Sequence, residues 1–209
     1  MQILWACTGS VATVKVPLGV ALLRERGHEV KIVVTEHGNT MLTKGPAERY
    51  TKQPEVYGAM GAVLNDQDEW PSDYTVGRDS VLHIELRKWA DVLIVAPMSA
   101  NTMAKLANGM CDNLLTSVFR CWDFANKPVF LCPAMNTMMW DNPFTARHLQ
   151  VLGELSNVHV IPPISKTLAC RDVGVGAMEE VEVIVRIVLD KMANTSSAKR
   201  IKTCQEEEG

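Results

Sequence analysis

Five short apolar runs recur along the chain, QILWACT (2–8), EVKIVVT (29–35), DVLIVAP (91–97), PVFLCPA (128–134) and VHVIPP (158–163), and segments of helical period lie between them. Strands that feed crossover helices in a parallel sheet produce this alternation. The runs are apolar almost throughout, which predicts strands buried on both faces. Between the first two, Val16, Val20 and Leu23 recur at helical spacing across residues 11–26, and Gly27 supplies a stop. Residues 79–91, 99–108, 112–122 and 143–155 read as further helices, and 179–193 as the last. The expectation is a doubly wound parallel α/β sheet, a flavodoxin-like or Rossmann-like three-layer sandwich.

Two stretches break the rhythm. Residues 44–80, which include NDQDEWPSD, form a long polar connection with room for one short strand around 55–64; such a length of irregular chain is usually functional or mobile. Residues 194–209 are polar and poor in apolar side chains, and are expected to form a disordered tail beyond a single domain spanning 1–193. With 47% hydrophobic residues in 209, one sizeable core is attainable.

Several function classes drop out. The net charge is −3 and Lys and Arg are scattered, so there is no basic stripe for nucleic acid. The start, MQILWACTG, has no basic leader and turns polar too early for a signal peptide or a membrane span, so a cytoplasmic protein is expected. The six cysteines form no CxxC pair, which favours reduced thiols, and the five histidines show no metal-ligand spacing, so no metal is expected.

Three strand ends carry polar groups where a helix begins. TGSVATVK (8–15) places Gly9, Ser10, Val11 and Ala12 there; Ser10 is either a simple N-cap or part of an anion site made of free N–H groups. VVTEHG (33–38) adds Thr35, Glu36 and His37, and APMSANTMAK (96–105) adds Ser99, Ala100, Asn101 and Thr102. Together they point to the crevice outside the carboxyl edge, where doubly wound sheets hold nucleotides and flavins.

Three more segments could carry chemistry. His83, in DSVLHIELRKWAD (79–91), sits about 100° round a helix from Leu82 and would be capped by Asp79 or Ser80. It reads as a hydrogen-bonded boundary residue or as an acid–base catalyst. LACRDVGVGAM (168–178) has the glycines of a loop able to move over a ligand, with Cys170 as a reactive thiol or a small buried hydrophobe. PAMNTMMW (133–140) sets one amide, Asn136, in a wall of Met and Trp. There it caps a short helix, or donates to a carboxylate in a site from which those side chains exclude water.

In order, GSVA, VLHIELRKWAD, APMSANTMAK, GMCDNLLTSVFRCWD, PAMNTMMWDNPFT and LACRDVGVGAM resemble the flavin-dependent cysteine decarboxylases, and among them the phosphopantothenoylcysteine decarboxylases, from Ile3 to Leu189. The resemblance implies bound FMN and a homotrimer with active sites at subunit boundaries. It also implies conversion of 4′-phosphopantothenoylcysteine to 4′-phosphopantetheine on the route to coenzyme A, through thioaldehyde and enethiolate intermediates. It assigns FMN contacts to Gly9–Ala12, Thr35–His37, Ser99–Thr102 and Ala134. It makes His83 catalytic, Asn136 the holder of the substrate carboxylate with Met139 beside it, and Cys170 the proton donor on a flap lined by Thr167, Leu168, Ala169 and Met178. Arg171 stands where the family usually has glycine. Some relatives act on peptidyl cysteine and others regulate a protein phosphatase, so a phosphatase partner is the alternative implied.

Overall fold

The computed structural model describes residues 1–44, 60–167 and 173–206, and of residues 167, 173 and 195–206 the backbone alone. β1 (Gln2–Cys7) leads through a 3-10 turn (Val11–Lys15) into α1 (Val16–Glu25), β2 (Glu29–Val34) and α2 (Glu36–Lys44). Next come β3 (Val63–Leu64), α3 (Asp66–Glu69), α4 (Leu82–Trp89), β4 (Val92–Met98), α5 (Ala100–Ala107) and α6 (Leu114–Arg120). The remainder is β5 (Val129–Pro133), α7 (Thr137–Trp140), α8 (Pro143–Gly153), β6 (Val158–Val160), β7 (Ile164–Thr167), β8 (Val173–Ala177) and α9 (Val181–Glu206).

Six strands pair in the order β3-β2-β1-β4-β5-β6, all parallel. With the two-residue β3 set aside this is the flavodoxin-like order, and with it the Rossmann order. Both faces are buried, as the continuous apolar runs require. Ile3, Trp5 and Cys7 face a cluster closed by Val16, Val20 and Leu23 of α1 and by Val181, Ile184, Val185 and Val188 of α9. Leu4 and Ala6 face the opposite cluster, closed by Leu86, Met103, Leu106, Val118 and Leu152 from α4, α5, α6 and α8. Each fully buried aliphatic side chain of this kind contributes roughly 1.5–3 kcal/mol. The Trp5 indole is buried without loss of its polar contact, because Nε1 donates to the Ala96 carbonyl at 2.6 Å.

Three elements differ from the sequence expectation. β7 and β8 form an antiparallel hairpin where a loop was expected, because Val173, Gly174, Val175 and Gly176 give too short an alternation to stand out. The helix after β1 starts as a 3-10 turn and becomes α-helical only at Val16, with Pro17 in its first turn. The backbone of α9 continues through Glu206 where a tail was expected. An established helix adds residues cheaply, and Ala, Lys, Arg, Gln and Glu propagate it well.

Candidate functional site: a cleft at the carboxyl edge of the sheet

The ends of β1 and β4 are tied by one buried hydroxyl. Thr8 Oγ1 donates to the Pro97 carbonyl at 3.0 Å and accepts from the Ser99 N–H at 2.8 Å. The sheet order reverses between these two strands, so the tie fixes the crevice in which doubly wound sheets bind ligands. Around it the three polar strand ends have local caps. Ser10 Oγ accepts from Ala12 N–H at 3.4 Å, Ser99 Oγ accepts from Thr102 N–H at 3.3 Å, and Thr35 Oγ1 accepts from Gly38 N–H at 3.2 Å. All three turns also line one cleft of about 1090 Å³. That is at the upper end of the roughly 300–1,000 Å³ found for ligand sites, enough for a cofactor with a second small molecule beside it.

Every described residue assigned to cofactor contact reaches this cleft: Gly9–Ala12, Thr35–His37, Ser99–Thr102 and Ala134. So do Asn136, Met139 and Met178. Asn136 lines the cleft, and its Oδ1 caps α7 as the capping reading expects, accepting from Met138 N–H at 2.8 Å. Among the described residues the expected water-excluding wall is not formed: Met138 is 75% exposed and Met139 51%. α7 is a single turn, and the described residues bury none of its side chains. Leu168, Ala169, Cys170 and Arg171 lie outside the described residues, between Thr167, which ends β7, and Val173, which begins β8.

Two glycines set close approaches that a side chain would block. A Cβ on Gly9 would come within 2.7 Å of the His37 Cβ, so the first strand end can press against the second only without one. Gly176 has φ +152° and a Cβ there would meet the Met135 carbonyl oxygen at 2.3 Å. Its own carbonyl accepts from Met135 N–H at 2.9 Å, which joins the hairpin to the segment bearing Asn136.

The three lysines on the cleft wall, Lys15, Lys105 and Lys166, are each paired with a carboxylate. Lys15 Nζ donates to Glu180 Oε2 at 2.9 Å and Lys166 of β7 donates to Oε1 of the same carboxylate. The hydrogen bond from Lys166, followed by that from Lys15, holds Glu180 below its ordinary range. Asp112 is likewise lowered, first by its hydrogen bond from Lys105. The nearby strand cysteines are inert: burial pushes the Cys7 thiol up to about 12, and Cys132 is raised by burial and then by Glu179.

His83 is not among the residues that line the cleft. It lies in the first turn of α4, whose N-cap is Val81 with no side-chain cap, in place of Asp79 or Ser80. A residue from the polar connection does that work. Glu69, only 4% exposed, accepts the His83 backbone N–H on Oε2 at 2.9 Å, and its Oε1 lies 2.6 Å from His83 Nδ1. Glu69 carried no signal in the sequence beyond an acidic residue in an acidic stretch. Asp66, also unforeseen, lines the cleft and accepts the Leu114 N–H at 2.7 Å, which anchors the start of α6. Its one sequence signal is the capping box of Asn65 and Asp68 around it.

The sequence matches the Flavoprotein family over residues 1–193. The chain belongs to that family. A probable phosphopantothenoylcysteine decarboxylase of Arabidopsis thaliana is 47% identical over 187 residues, 90% of this chain and 86% of that protein. Among solved structures, a PPC decarboxylase mutant complexed with pantothenoylaminoethenethiol superposes with a TM-score of 0.81 at 45% identity, covering 92% of this chain and 98% of that one. The FMN-binding protein AtHal3 superposes with a TM-score of 0.76 at 46% identity, covering 90% and 94%. Family membership brings a flavin, and the cleft fits one. Helix-starting turns offer N–H groups and hydroxyls to a phosphate, Met41, Val11, Ala134, Met135 and Met178 offer apolar surface to a ring system, and the Gly9 cradle is open where a Cβ would intrude.

Proposed function

We propose that the protein is an FMN-dependent phosphopantothenoylcysteine decarboxylase that makes 4′-phosphopantetheine for coenzyme A. The observation that carries this reading is the meeting, in one cleft, of three cofactor-edge turns with Asn136. The cofactor is FMN. When bound it supplies a two-electron sink beside the cysteine, without which loss of CO2 would leave an unstabilised carbanion.

The protein's share is orientation and electrostatics. Asn136 lines the cleft, and a side-chain amide is the neutral donor that a carboxylate needs. A neutral donor fixes the carboxylate without adding a cation that would stabilise its charge and oppose departure of CO2. Glu180 ties Lys166 of β7, and with it the hairpin, to Lys15 of the first turn. Cys170 serves as the proton donor to the substrate, a role closed to Cys7 and Cys132, which are buried in the sheet.

The site is completed by a second copy of the chain in a homotrimer. Three observations support this: His83 does not line its own cleft, Met138 and Met139 at the mouth are exposed, and Phe144 in the first turn of α8 is 62% exposed. In the trimer His83 of one copy acts in the cleft of its neighbour, and the exposed methionines become the dry wall. The purified protein should be yellow, release FMN on denaturation, and evolve CO2 from 4′-phosphopantothenoylcysteine in preference to a peptide ending in cysteine. Absence of CO2, or preference for the peptide, would contradict the reading.

A further inference from the structure

We infer that Glu69 is a positioning residue for the reaction, fixing His83 as the tautomer with its proton on Nδ1 so that Nε2 presents a lone pair to the substrate. This rests on the catalytic role proposed above for His83.

The geometry is that of a clamp on one residue. Glu69 sends one carboxylate oxygen to the backbone N–H of His83 and the other to its ring, at 2.9 and 2.6 Å. Backbone and ring are thereby held at once, and the side-chain torsions have little freedom between them. The carboxylate is only 4% exposed, while the His83 side chain keeps 23% of its surface open. A buried carboxylate so placed needs a partner that can carry charge. Ionised carboxylate accepts and cannot donate, so the hydrogen shared with Nδ1 belongs to the ring, and in the neutral imidazole Nε2 is then the acceptor. When Nε2 takes a proton, the imidazolium forms against a carboxylate already in place. The other group near this turn addresses the backbone: Cys121 Sγ donates to the His83 carbonyl at 3.8 Å.

Glu69→Gln separates this role from simple anchoring of α4. The glutamine oxygen can still accept the backbone N–H, but its NH2 then faces Nδ1 and favours the tautomer with the proton on Nε2. The measurement is a long-range proton–nitrogen NMR spectrum of the FMN-loaded protein labelled at histidine, with His83 assigned by comparison with His83→Asn, beside steady-state CO2 release. The wild type should show its His83 proton on Nδ1 and the variant on Nε2. The variant's flavin absorbance should be unchanged, with kcat down about 100-fold and KM within about threefold, as expected when a general acid–base group is disabled without loss of binding. Glu69→Asp, which keeps the carboxylate, should retain the Nδ1 tautomer and exceed Glu69→Gln at least about tenfold in kcat. Two results overturn the inference: a wild-type ring protonated on Nε2, or a wild type that decarboxylates while Glu69→Gln matches its kcat. A wild type that loads FMN yet evolves no CO2 would instead overturn the proposed function. The tautomer spectra, which need no substrate, still test the clamp.

Discussion

The cleft and the His83 turn are built in opposite ways. The cleft is assembled from strand ends whose positions are set by the ladder, and the same Thr8 hydroxyl that joins β1 to β4 fixes its floor. His83 does not line the cleft, and its turn is held by one carboxylate from the end of α3. A site drawn from sheet edges tolerates change at single side chains because many backbone groups share the task. A site held by one clamp does not. The difference teaches where to strike: changes at the strand-end turns of the cleft should alter binding by degrees, and changes to Asn136 or Glu69 should alter chemistry outright.

The largest effect is expected at Asn136. Asn136→Asp keeps the shape and the α7 cap but sets a negative charge against the substrate carboxylate, and kcat should fall by at least about 100-fold with FMN content unchanged. A variant with near-normal turnover would remove the amide from the mechanism. Next is Gly176→Ala, which forces a Cβ against the Met135 carbonyl at a backbone angle suited to glycine. About 1–3 kcal/mol of strain should loosen the hairpin from the Asn136 segment and raise KM roughly tenfold. Gly9→Ala is smaller and belongs to the cofactor half. Crowding against His37 should weaken FMN about tenfold, for an overpacking cost of about 1–3 kcal/mol, leaving kcat of the loaded fraction intact. Titration of the apoprotein with FMN checks this.

The smallest effect concerns Glu180, a partly exposed residue whose ion pairs contribute below about 1 kcal/mol after solvent screening. Its carboxylate is held below the ordinary range by Lys166 and Lys15, so the tie stabilises the folded hairpin above the usual glutamate pKa and is lost as pH falls through the depressed one. Denaturation midpoints of the wild type should therefore decline as the medium becomes more acidic than that range. Glu180→Gln should lie slightly lower near neutrality and flatten this part of the acid limb.

The same contrast explains what could be read beforehand. β1, β2, β4 and β5 announce themselves as apolar runs of five to seven residues that are largely buried, and the strand-end hydroxyls follow at fixed offsets from them. Asn136 was legible as a cap or as a ligand, and only the fold shows one side chain serving in the cap while lining the cleft. Glu69 was not legible, because its partner is 14 residues away across a segment with no period. The β7–β8 hairpin was missed because glycine at every second residue removes the alternation by which a strand is recognised. The backbone of α9 continues through Glu206, and composition, which measures what a segment can bury, does not register such extension of a helix already nucleated.

The proposed function divides one reaction site between copies, with His83 from one chain and Asn136 from its neighbour. Co-expression of His83→Asn with Asn136→Asp, each inactive alone, tests it most directly. If one copy supplies the amide and its neighbour the imidazole, random assortment leaves about one quarter of sites intact, half times half, and CO2 release should recover to about that fraction of wild type. Purified mixed assemblies carrying both chains and a full complement of FMN, yet as inactive as either parent, would contradict it.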